Sequence, residues 1–222
     1  MIITKQKNFE DIVANLKDSK KIFIVGCGEC SATCKTGGET EVLEVKKKLE
    51  QNGKEVTGYA IPDAPCVAAQ MKTALAKNTK ALKETDAVVV MACGLGAQSV
   101  KANDRRELWI VPGCDTLFAG ATDSAGAFQE LCSACAECIL DVTGCICPVT
   151  RCPKGLLNGP CGGMDKGKCE VDKDRDCVWV LIYNDLKKRG KLDMFSQIQS
   201  PKNYAKTVKP RTRAAEAQQT NG

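Results

Sequence analysis

The sequence predicts an α/β protein: a Rossmann- or flavodoxin-like parallel sheet, then a small cysteine-rich iron–sulfur or metal-binding domain, then an extended C-terminal tail. Two observations carry this prediction. In the first half, short apolar runs alternate with segments of helical period, which is typical of βαβ units. In residues 131–163, seven of the 33 residues are cysteine, a density that no compact core requires. We therefore divide the chain into residues 1–122, 123–199 and 200–222.

Four short apolar runs are the candidate strands of the sheet. They span residues 21–26, 55–60, 86–92 and 107–113, of which the third is the strongest and the second the weakest. Helical periods lie between them, at Phe9, Ile12 and Leu16, at Val42, Val45 and Leu49, and at Val67, Met71 and Leu75. Gly53 is a predicted C-cap. If the strand order is flavodoxin-like, the third strand lies beside the first.

The cysteines of the first half all lie beyond the carboxyl end of a predicted strand. Cys27, Cys30 and Cys34 follow the first strand, Cys66 the second, Cys93 the third and Cys114 the fourth. In open parallel sheets, ligands bind at that edge. The first loop has the spacing Cys-x2-Cys-x3-Cys on a glycine-rich turn, and we predict a [4Fe–4S] site with Cys93 as the fourth ligand. Cys66 is the second choice for that ligand and Cys114 the third.

Two other interpretations of this loop stay open. A glycine-rich loop after the first strand could hold the phosphate of a nucleotide or flavin, although it has neither a G-x-G-x-x-G nor a GKS/GKT pattern. A four-cysteine zinc site is the other, because zinc accepts the same thiolate ligands.

The cysteine-rich segment contains a second candidate cluster site. Cys132, Cys135 and Cys138 have the spacing of a bacterial-ferredoxin-type half-site, which normally closes with a Cys-Pro pair. Two such pairs follow, Cys147-Pro148 and Cys152-Pro153, and we take Cys152 as the ligand. The cysteine of the other Cys-Pro pair belongs to a second, more loosely spaced set, which could hold a further cluster or structural zinc. The alternative is that these are scattered buried thiols. That set is Cys147, Cys161, Cys169 and Cys177, with Cys145 as a spare.

After this segment, the sequence predicts one helix and a tail. Val178, Leu181, Ile182 and Leu186 share a helical face, and Gly190 ends the helix. Residues 200–222 have little to bury and contain two prolines, so we expect a tail that is disordered or lies on a partner.

Composition excludes several classes of function. The chain has no histidine, which removes Ser-His-Asp and Cys-His catalysis and every histidine-containing metal site. With a net charge of +5 and 5% aromatic residues there is no basic, aromatic stripe for nucleic acid. We find no secretory signal and no apolar run of about 18 residues, so we expect a cytoplasmic protein without a membrane partner. Fifteen cysteines in that compartment indicate metal or redox use rather than disulfides.

Residues 138–163 also carry a family pattern, T-G-x-I-C-P-x-T-x-C-x-K-x-L-x-N-G-P-C-G-G after a cysteine-rich entry, followed by Cys169-Glu170-Val171 and Cys177-x-Trp179. This pattern resembles the C-terminal domain family of methylenetetrahydrofolate reductases. With the Gly26-Cys27-Gly28 and Thr36-Gly37-Gly38 elements, nearly the whole chain is similar to the small iron–sulfur (MetV-type) subunit of the acetogen enzyme. Cys145 departs from the pattern, which has glycine there.

The resemblance implies an electron-transfer role in one-carbon metabolism, in the Wood–Ljungdahl pathway. The chain would be a non-catalytic subunit that receives electrons from ferredoxin or another low-potential donor. It would pass these electrons through two [4Fe–4S] clusters, with a third centre or zinc as an option. The acceptor would be the FMN of a separate MetF-type catalytic subunit, which reduces 5,10-methylenetetrahydrofolate to 5-methyltetrahydrofolate. The alternatives are a zinc-stapled scaffold for that subunit and an electron-entry subunit of another methyl- or corrinoid-linked enzyme.

Overall fold

A four-stranded parallel sheet organises the first part of the chain in the computed structural model, which describes residues 1–213. Its strand order is β3-β2-β4-β5, so the third predicted strand lies beside the first and the flavodoxin-like order is confirmed. The strands are β2 (Lys21–Val25), β3 (Glu55–Ala60), β4 (Ala87–Val90) and β5 (Trp109–Pro112).

Helices connect these strands where the helical periods predict them. They are α1 (Phe9–Asn15), α2 (Cys30–Thr33), α3 (Glu39–Gln51), α4 (Ala68–Lys77), α5 (Thr79–Lys83) and α6 (Gly94–Asn103). Helix α3 ends at Gln51 with Asn52 as its C-cap, one residue before the predicted Gly53, which follows with a φ of +78°. Three of these helices were not predicted. Helix α2 is a single turn and α5 has only five residues, while the buried positions of α6 include a glycine and an alanine, so its apolar period is weak.

Alternate residues of the central strands supply two apolar layers, because successive side chains of a strand point to opposite faces. Ile22 and Ile24 of β2 are buried in one layer, with residues of α1 and α3. Phe23 and Val25 are buried in the other, with residues of α4, α5 and α6. The sheet is therefore covered on both faces, which is why its strands read as continuous apolar runs.

A second, antiparallel sheet was not predicted. Its order is β1-β6-β7, formed by β1 (Ile2–Gln6), β6 (Cys114–Thr122) and β7 (Phe128–Glu130). Most residues of β6 and all of β7 are exposed, so these strands lack the apolar run that marked the parallel ones. As a result Cys114 is the first residue of a strand and a buried core residue, rather than part of an open loop.

The chain divides into two compact units, Met1–Phe128 (unit 1) and Gln129–Gly222 (unit 2). Within its described residues, unit 2 contains little regular structure: α7 (Pro148–Arg151), α8 (Val178–Lys188) and two 3-10 turns, Leu192–Ser196 and Tyr204–Thr207. Its core is small and centres on α8, where Trp179 is buried in place of the predicted Leu181. Residues 214–222 of the predicted tail lie outside the described part. None of the helices in residues 1–213 is long and apolar enough to span a bilayer.

Candidate thiol sites

The carboxyl ends of three neighbouring strands of unit 1 carry the first group of cysteines. Val25, the last residue of β2, is in register with Ala60 of β3 on one side and with Val90 of β4 on the other. The three loops therefore leave the sheet side by side. Cys27 and Cys30 lie in the first loop, Cys66 in the second and Cys93 in the third, directly before α6.

Backbone hydrogen bonds hold the first two of these loops together. The N–H of Gly28 donates to the carbonyl of Pro62 at 2.9 Å, and the N–H of Glu29 donates to that of Asp63 at 3.0 Å. The Cys27 thiol also donates to the Asp63 carbonyl, at 3.6 Å. Since Cys66 follows Asp63 by only three residues, these bonds bring the second loop to the Cys27 side of the sheet edge.

The thiols of these loops lie close enough to act on one another. Desolvation of its sulfur, followed by repulsion from Cys93, Cys27 and Cys30, raises the pKa of the Cys66 thiol. Close packing of the second loop against the first turn of α6, directly after Cys93, agrees, because a Cβ added to Gly96 would meet Pro65 Cγ at 3.2 Å. Cys27 and Cys93 are buried and Cys66 is exposed. The structure thus groups Cys27, Cys30, Cys66 and Cys93, with Cys66 in the place of the predicted Cys34.

Cys34, a predicted ligand, shares one backbone neighbour with Cys30. Its thiol donates to the carbonyl of Ile2 at 3.9 Å, and the N–H of the same Ile2 donates to the Cys30 sulfur at 3.5 Å. Repulsion from Cys93, Cys27 and Cys30 raises the pKa of the Cys66 thiol. Repulsion from Cys34, together with that from Cys93, instead raises the pKa of the Cys114 thiol. Strand β1, which the sequence analysis missed, therefore lies against the Cys-x2-Cys-x3-Cys loop.

Cys114, the third choice for a ligand, behaves as a core thiol. It is buried in the layer formed with α1 and α3, and it donates to the carbonyl of Thr36 at 3.5 Å. Burial raises its pKa to about 12, so the thiol stays protonated at neutral pH. A protonated thiol is a poor metal ligand, since the thiolate is the ligating form.

The thiols of unit 1 are not arranged around the position of a single metal ion. Four thiolates around one zinc ion, each at about 2.3 Å from the metal, must lie within about 4 Å of one another. In residues 1–213, no three cysteine, aspartate or glutamate side chains are arranged to hold a single metal ion. In a cluster each cysteine binds a different iron, so the sulfurs lie farther apart. The buried Ser31 hydroxyl, next to Cys30, also lacks a hydrogen-bond partner among the described residues.

In unit 2, the Cys132–Cys138 loop is held in a tight irregular conformation. Ala134 and Ala136, which stand between its cysteines, have φ values of +53° and +65°. The N–H of Ala134 donates to the sulfur of Cys132 at 3.4 Å, and the Cys135 thiol donates to the carbonyl of Glu137 at 3.5 Å. Backbone N–H donors at the sulfurs are one means by which proteins tune cluster potentials.

The basic tail packs on this same loop, which the sequence analysis did not predict. Lys202, only 8% exposed, donates its ammonium to the backbone carbonyl of Glu137. The Glu137 carboxylate accepts from the N–H of Asn203 at 2.8 Å and from Lys206 Nζ at 2.6 Å. Arg211 donates to the carbonyl of Ala134 at 3.1 Å. The described part of the tail is therefore bound to its own cysteine loop.

We expect Glu137→Gln to loosen the tail. The hydrogen bonds from Lys206 and Asn203 lower the pKa of the Glu137 carboxyl, so it is ionised at neutral pH and binds the tail as an anion. An amide loses the ion pair and keeps only weak hydrogen bonds. Trypsin should then cut after Lys202 and Lys206 severalfold faster, because cleavage follows the population of the open form. Glu130→Gln, on the exposed strand β7, is the control, and equal rates in the two variants would contradict the assignment.

The remaining cysteines of unit 2 are grouped differently from the prediction. One cavity of about 20 Å³ is lined by Cys152, Cys161, Cys169 and Cys177. Cys147 is not among its lining residues; its thiol lies 3.7 Å from the hydroxyl of Thr150. Cys145 is exposed and has a φ of +61°. Sequence spacing had paired Cys152 with the Cys132–Cys138 loop and had placed Cys147 in this set.

Comparison with known proteins identifies the second half of the chain. Residues 111–205 match the family described as methylene-tetrahydrofolate reductase C terminal. The match includes the GPCGG segment and ten of the fifteen cysteines, from Cys114 to Cys177. Neither the curated proteins nor the solved structures contained a match to this chain. The resemblance inferred from the sequence pattern is thereby confirmed for residues 111–205, which match the C-terminal family of methylenetetrahydrofolate reductases.

Proposed function

We propose that this chain is the electron-transfer subunit of a methylenetetrahydrofolate reductase complex. Its partner would be a MetF-type catalytic subunit whose FMN receives the electrons and reduces 5,10-methylenetetrahydrofolate to 5-methyltetrahydrofolate. Ferredoxin or another low-potential carrier would be the donor. The observation that carries the proposal is the convergence of four thiols from three loops at the carboxyl edge of the unit 1 sheet. The family match of residues 111–205 supports the connection to folate reduction.

In unit 1, the cluster ligands would be Cys27, Cys30 and Cys93, with Cys66 or the Cys34 predicted from spacing as the fourth. A [4Fe–4S] cluster supplies one-electron transfer over a wide range of potentials. The buried Cys27 and Cys93 would hold it against the sheet, while the exposed Cys66 would lie on its solvent side. The hydrogen bonds that join the first two loops keep their thiols in place before any metal binds, which lowers the cost of assembly.

In unit 2, Cys132, Cys135 and Cys138 would supply three ligands to a second cluster. The N–H of Ala134 would stabilise a thiolate at Cys132, and the Lys202 ammonium at the Glu137 carbonyl would add positive charge beside the loop. Positive charge near a cluster favours its reduced, more negative form and so raises the potential. Hydride transfer to the folate belongs to the partner, since the chain has no histidine and no phosphate-binding glycine pattern.

The test is electron transfer between separately purified subunits. The full chain, purified anaerobically, should be brown and contain about four iron and four sulfide per cluster. After reduction with dithionite and removal of the excess, it should bleach the FMN of a MetF-type subunit, with loss of its own reduced EPR signal. A colourless protein that contains zinc alone would instead support the scaffold alternative. A brown protein that leaves this FMN oxidised would end the folate-reductase assignment.

A further inference from the structure

An exposed, uncharged surface surrounds the thiols of unit 1. Acidic and basic residues make up 27% of the chain, yet residues 64–71, 92–100 and 116–122 contain none. Each of these stretches carries a large exposed apolar side chain: Val67 is 46% exposed, Leu95 54% and Leu117 51%. A single exposed apolar side chain is ordinary on a protein surface, whereas a contiguous group of them marks a site of interaction.

Contacts between the three stretches hold them together at the carboxyl edge of the parallel sheet. A Cβ added to Gly96 would meet Pro65 Cγ at 3.2 Å, so the first turn of α6 packs against the loop after β3. The N–H of Gly94 donates to the hydroxyl of Thr116 at 2.7 Å, which joins the same turn to β6. The exposed apolar members of these stretches form what we call the apolar patch: Val67, Ala68, Ala69, Leu95 and Leu117.

Helix α6 exposes its leucine and buries smaller residues. Its buried positions are Gly96, Ala97 and Val100, whereas Leu95 is more than half exposed. Stabilisation by burial grows with the apolar area removed from water, so a helix that served only the fold of unit 1 would gain more by burying the leucine. A surface that is covered in a complex explains the exposure of Leu95.

The thiols of the sheet edge lie beside this patch. Cys66 is exposed and directly precedes Val67, and Cys93 stands two residues before Leu95. A protein that covers the apolar patch would therefore also cover the exposed thiol. Because electron transfer slows steeply with distance, contact at this point is what a redox centre and its electron acceptor need.

The lack of charge limits the kind of partner that fits the patch. Encounters with small soluble electron carriers bury little area, and charged surfaces steer such encounters. The core of a lasting subunit interface is instead apolar and depleted of charged residues, with polar residues at its rim. Exposed charged side chains stand at the ends of the uncharged stretches, among them Asp63, Lys72 and Lys101.

We infer that the apolar patch is the docking surface for the catalytic flavoprotein subunit, which covers it with an apolar surface of its own in a long-lived complex. The inference rests on the proposed function for the identity of the partner, and it adds the face of unit 1 to which that partner binds. A diffusing electron donor would then bind elsewhere on the chain.

Two substitutions place a carboxylate in the patch at positions where the fold tolerates one. Val67 is the N-cap of α4 and Leu95 is the second residue of α6, and helix N-termini favour acidic side chains. Val67→Asp and Leu95→Glu should therefore stay folded. The control is Leu43→Glu, since Leu43 is 42% exposed on α3, which packs on the opposite face of the sheet from α4 and α6.

Binding of the anaerobically purified full chain to a MetF-type flavoprotein is measured by isothermal titration calorimetry. Each patch variant should raise the Kd by roughly 30-fold or more, because the complex would bury a charge without a partner. Leu43→Glu should bind like the wild type. The wild-type Kd should change by less than about threefold between about 50 and about 500 mM salt, because an apolar interface offers ions little to screen. Equal binding by the wild type and both patch variants overturns the inference, and so does a steep loss of affinity with salt.

A second measurement locates the interface in the wild-type chain. Hydrogen exchange of the amides in residues 64–71 and 92–100 should slow when the flavoprotein binds, while exchange in α3 should stay the same. Slower exchange that is confined to other segments would show that the partner binds a different face.

The same samples separate this inference from the proposed function. If the flavoprotein binds the wild type and not the patch variants, but the reduced chain leaves the FMN oxidised, the docking surface stands and the electron-transfer proposal fails. If all variants bind the flavoprotein and reduce its FMN equally, the proposed function stands and the inference fails. If the patch variants abolish only self-association of the chain and the flavoprotein binds none of them, the occupant is a second copy and the inference fails.

Discussion

Replacing Cys93 by alanine should remove about four iron and four sulfide from the chain and leave the centres of unit 2 in place. Cys93 lies three residues after β4, whose last residue is in register with the end of β2, so the Cys93 and Cys27 loops leave the sheet side by side. Alanine at this buried position removes the ligand with little change of packing. Metal analysis and EPR of the reduced protein measure the loss.

Three further variants make this prediction specific. Cys114→Ala, which removes a buried thiol that stays protonated, should keep its iron and serves as the control. Cys66→Ser should lose the same iron as Cys93→Ala, because Cys66 lies beside Cys27, Cys30 and Cys93. Cys34→Ser should keep it. The reverse result for Cys66 and Cys34 would show that the Cys-x2-Cys-x3-Cys spacing, rather than the grouping in the structure, defines the ligands.

Gly37→Ala should destabilise unit 1 more than any other single methyl addition in it. A Cβ on Gly37 would lie 1.7 Å from the carbonyl oxygen of Met91 and 2.7 Å from its carbonyl carbon. These are backbone atoms just before Cys93, so no side-chain rotation relieves the clash. We expect a loss of about 3 kcal/mol in the free energy of unfolding. The thermal midpoint, followed by circular dichroism, should fall by roughly 10 °C.

Gly53→Ala is the matched control for this substitution. Gly53 has a φ of +78° and no atom within 4 Å of an added Cβ, so alanine there costs only backbone strain, about 1 kcal/mol. Because Gly37 accepts a hydrogen bond from the N–H of Cys27 through its carbonyl, Gly37→Ala should also weaken iron retention in unit 1. A midpoint no lower than that of Gly53→Ala would mean that the loop and β4 can separate without cost.

The parallel sheet of unit 1 was predictable, because buried strands covered on both faces are continuous apolar runs. The run from Ala87 to Val90 is fully buried, and it was the strongest strand in the sequence. The antiparallel sheet was not predictable in this way. Its long strand, Cys114–Thr122, is mostly exposed, and its pairing with Ile2–Gln6 joins segments more than a hundred residues apart. Such pairing depends on the fold that surrounds it, not on a local pattern.

The sequence also predicted where the first thiols gather, since strand ends in a parallel sheet meet at one edge. The sequence ranked Cys34 above Cys66 because it shows the spacing of cysteines within one loop. It does not show that the loop after β3 folds against the loop after β2. Hydrogen bonds from Gly28 and Glu29 to the carbonyls of Pro62 and Asp63 bring that loop back. These are bonds between backbone groups, so the residue types of the two segments do not predict them.

By itself, the sequence determined the α/β class of unit 1 and the family that residues 111–205 match, and its fifteen cysteines without a histidine predicted thiol chemistry. Only the tertiary structure showed which cysteines are neighbours: Cys66 is near Cys93, and Cys152, Cys161, Cys169 and Cys177 line one cavity. The physical reason is that residue type determines what a side chain can bind. Which side chains bind the same centre depends on strand register and on backbone hydrogen bonds between segments that are remote in the sequence.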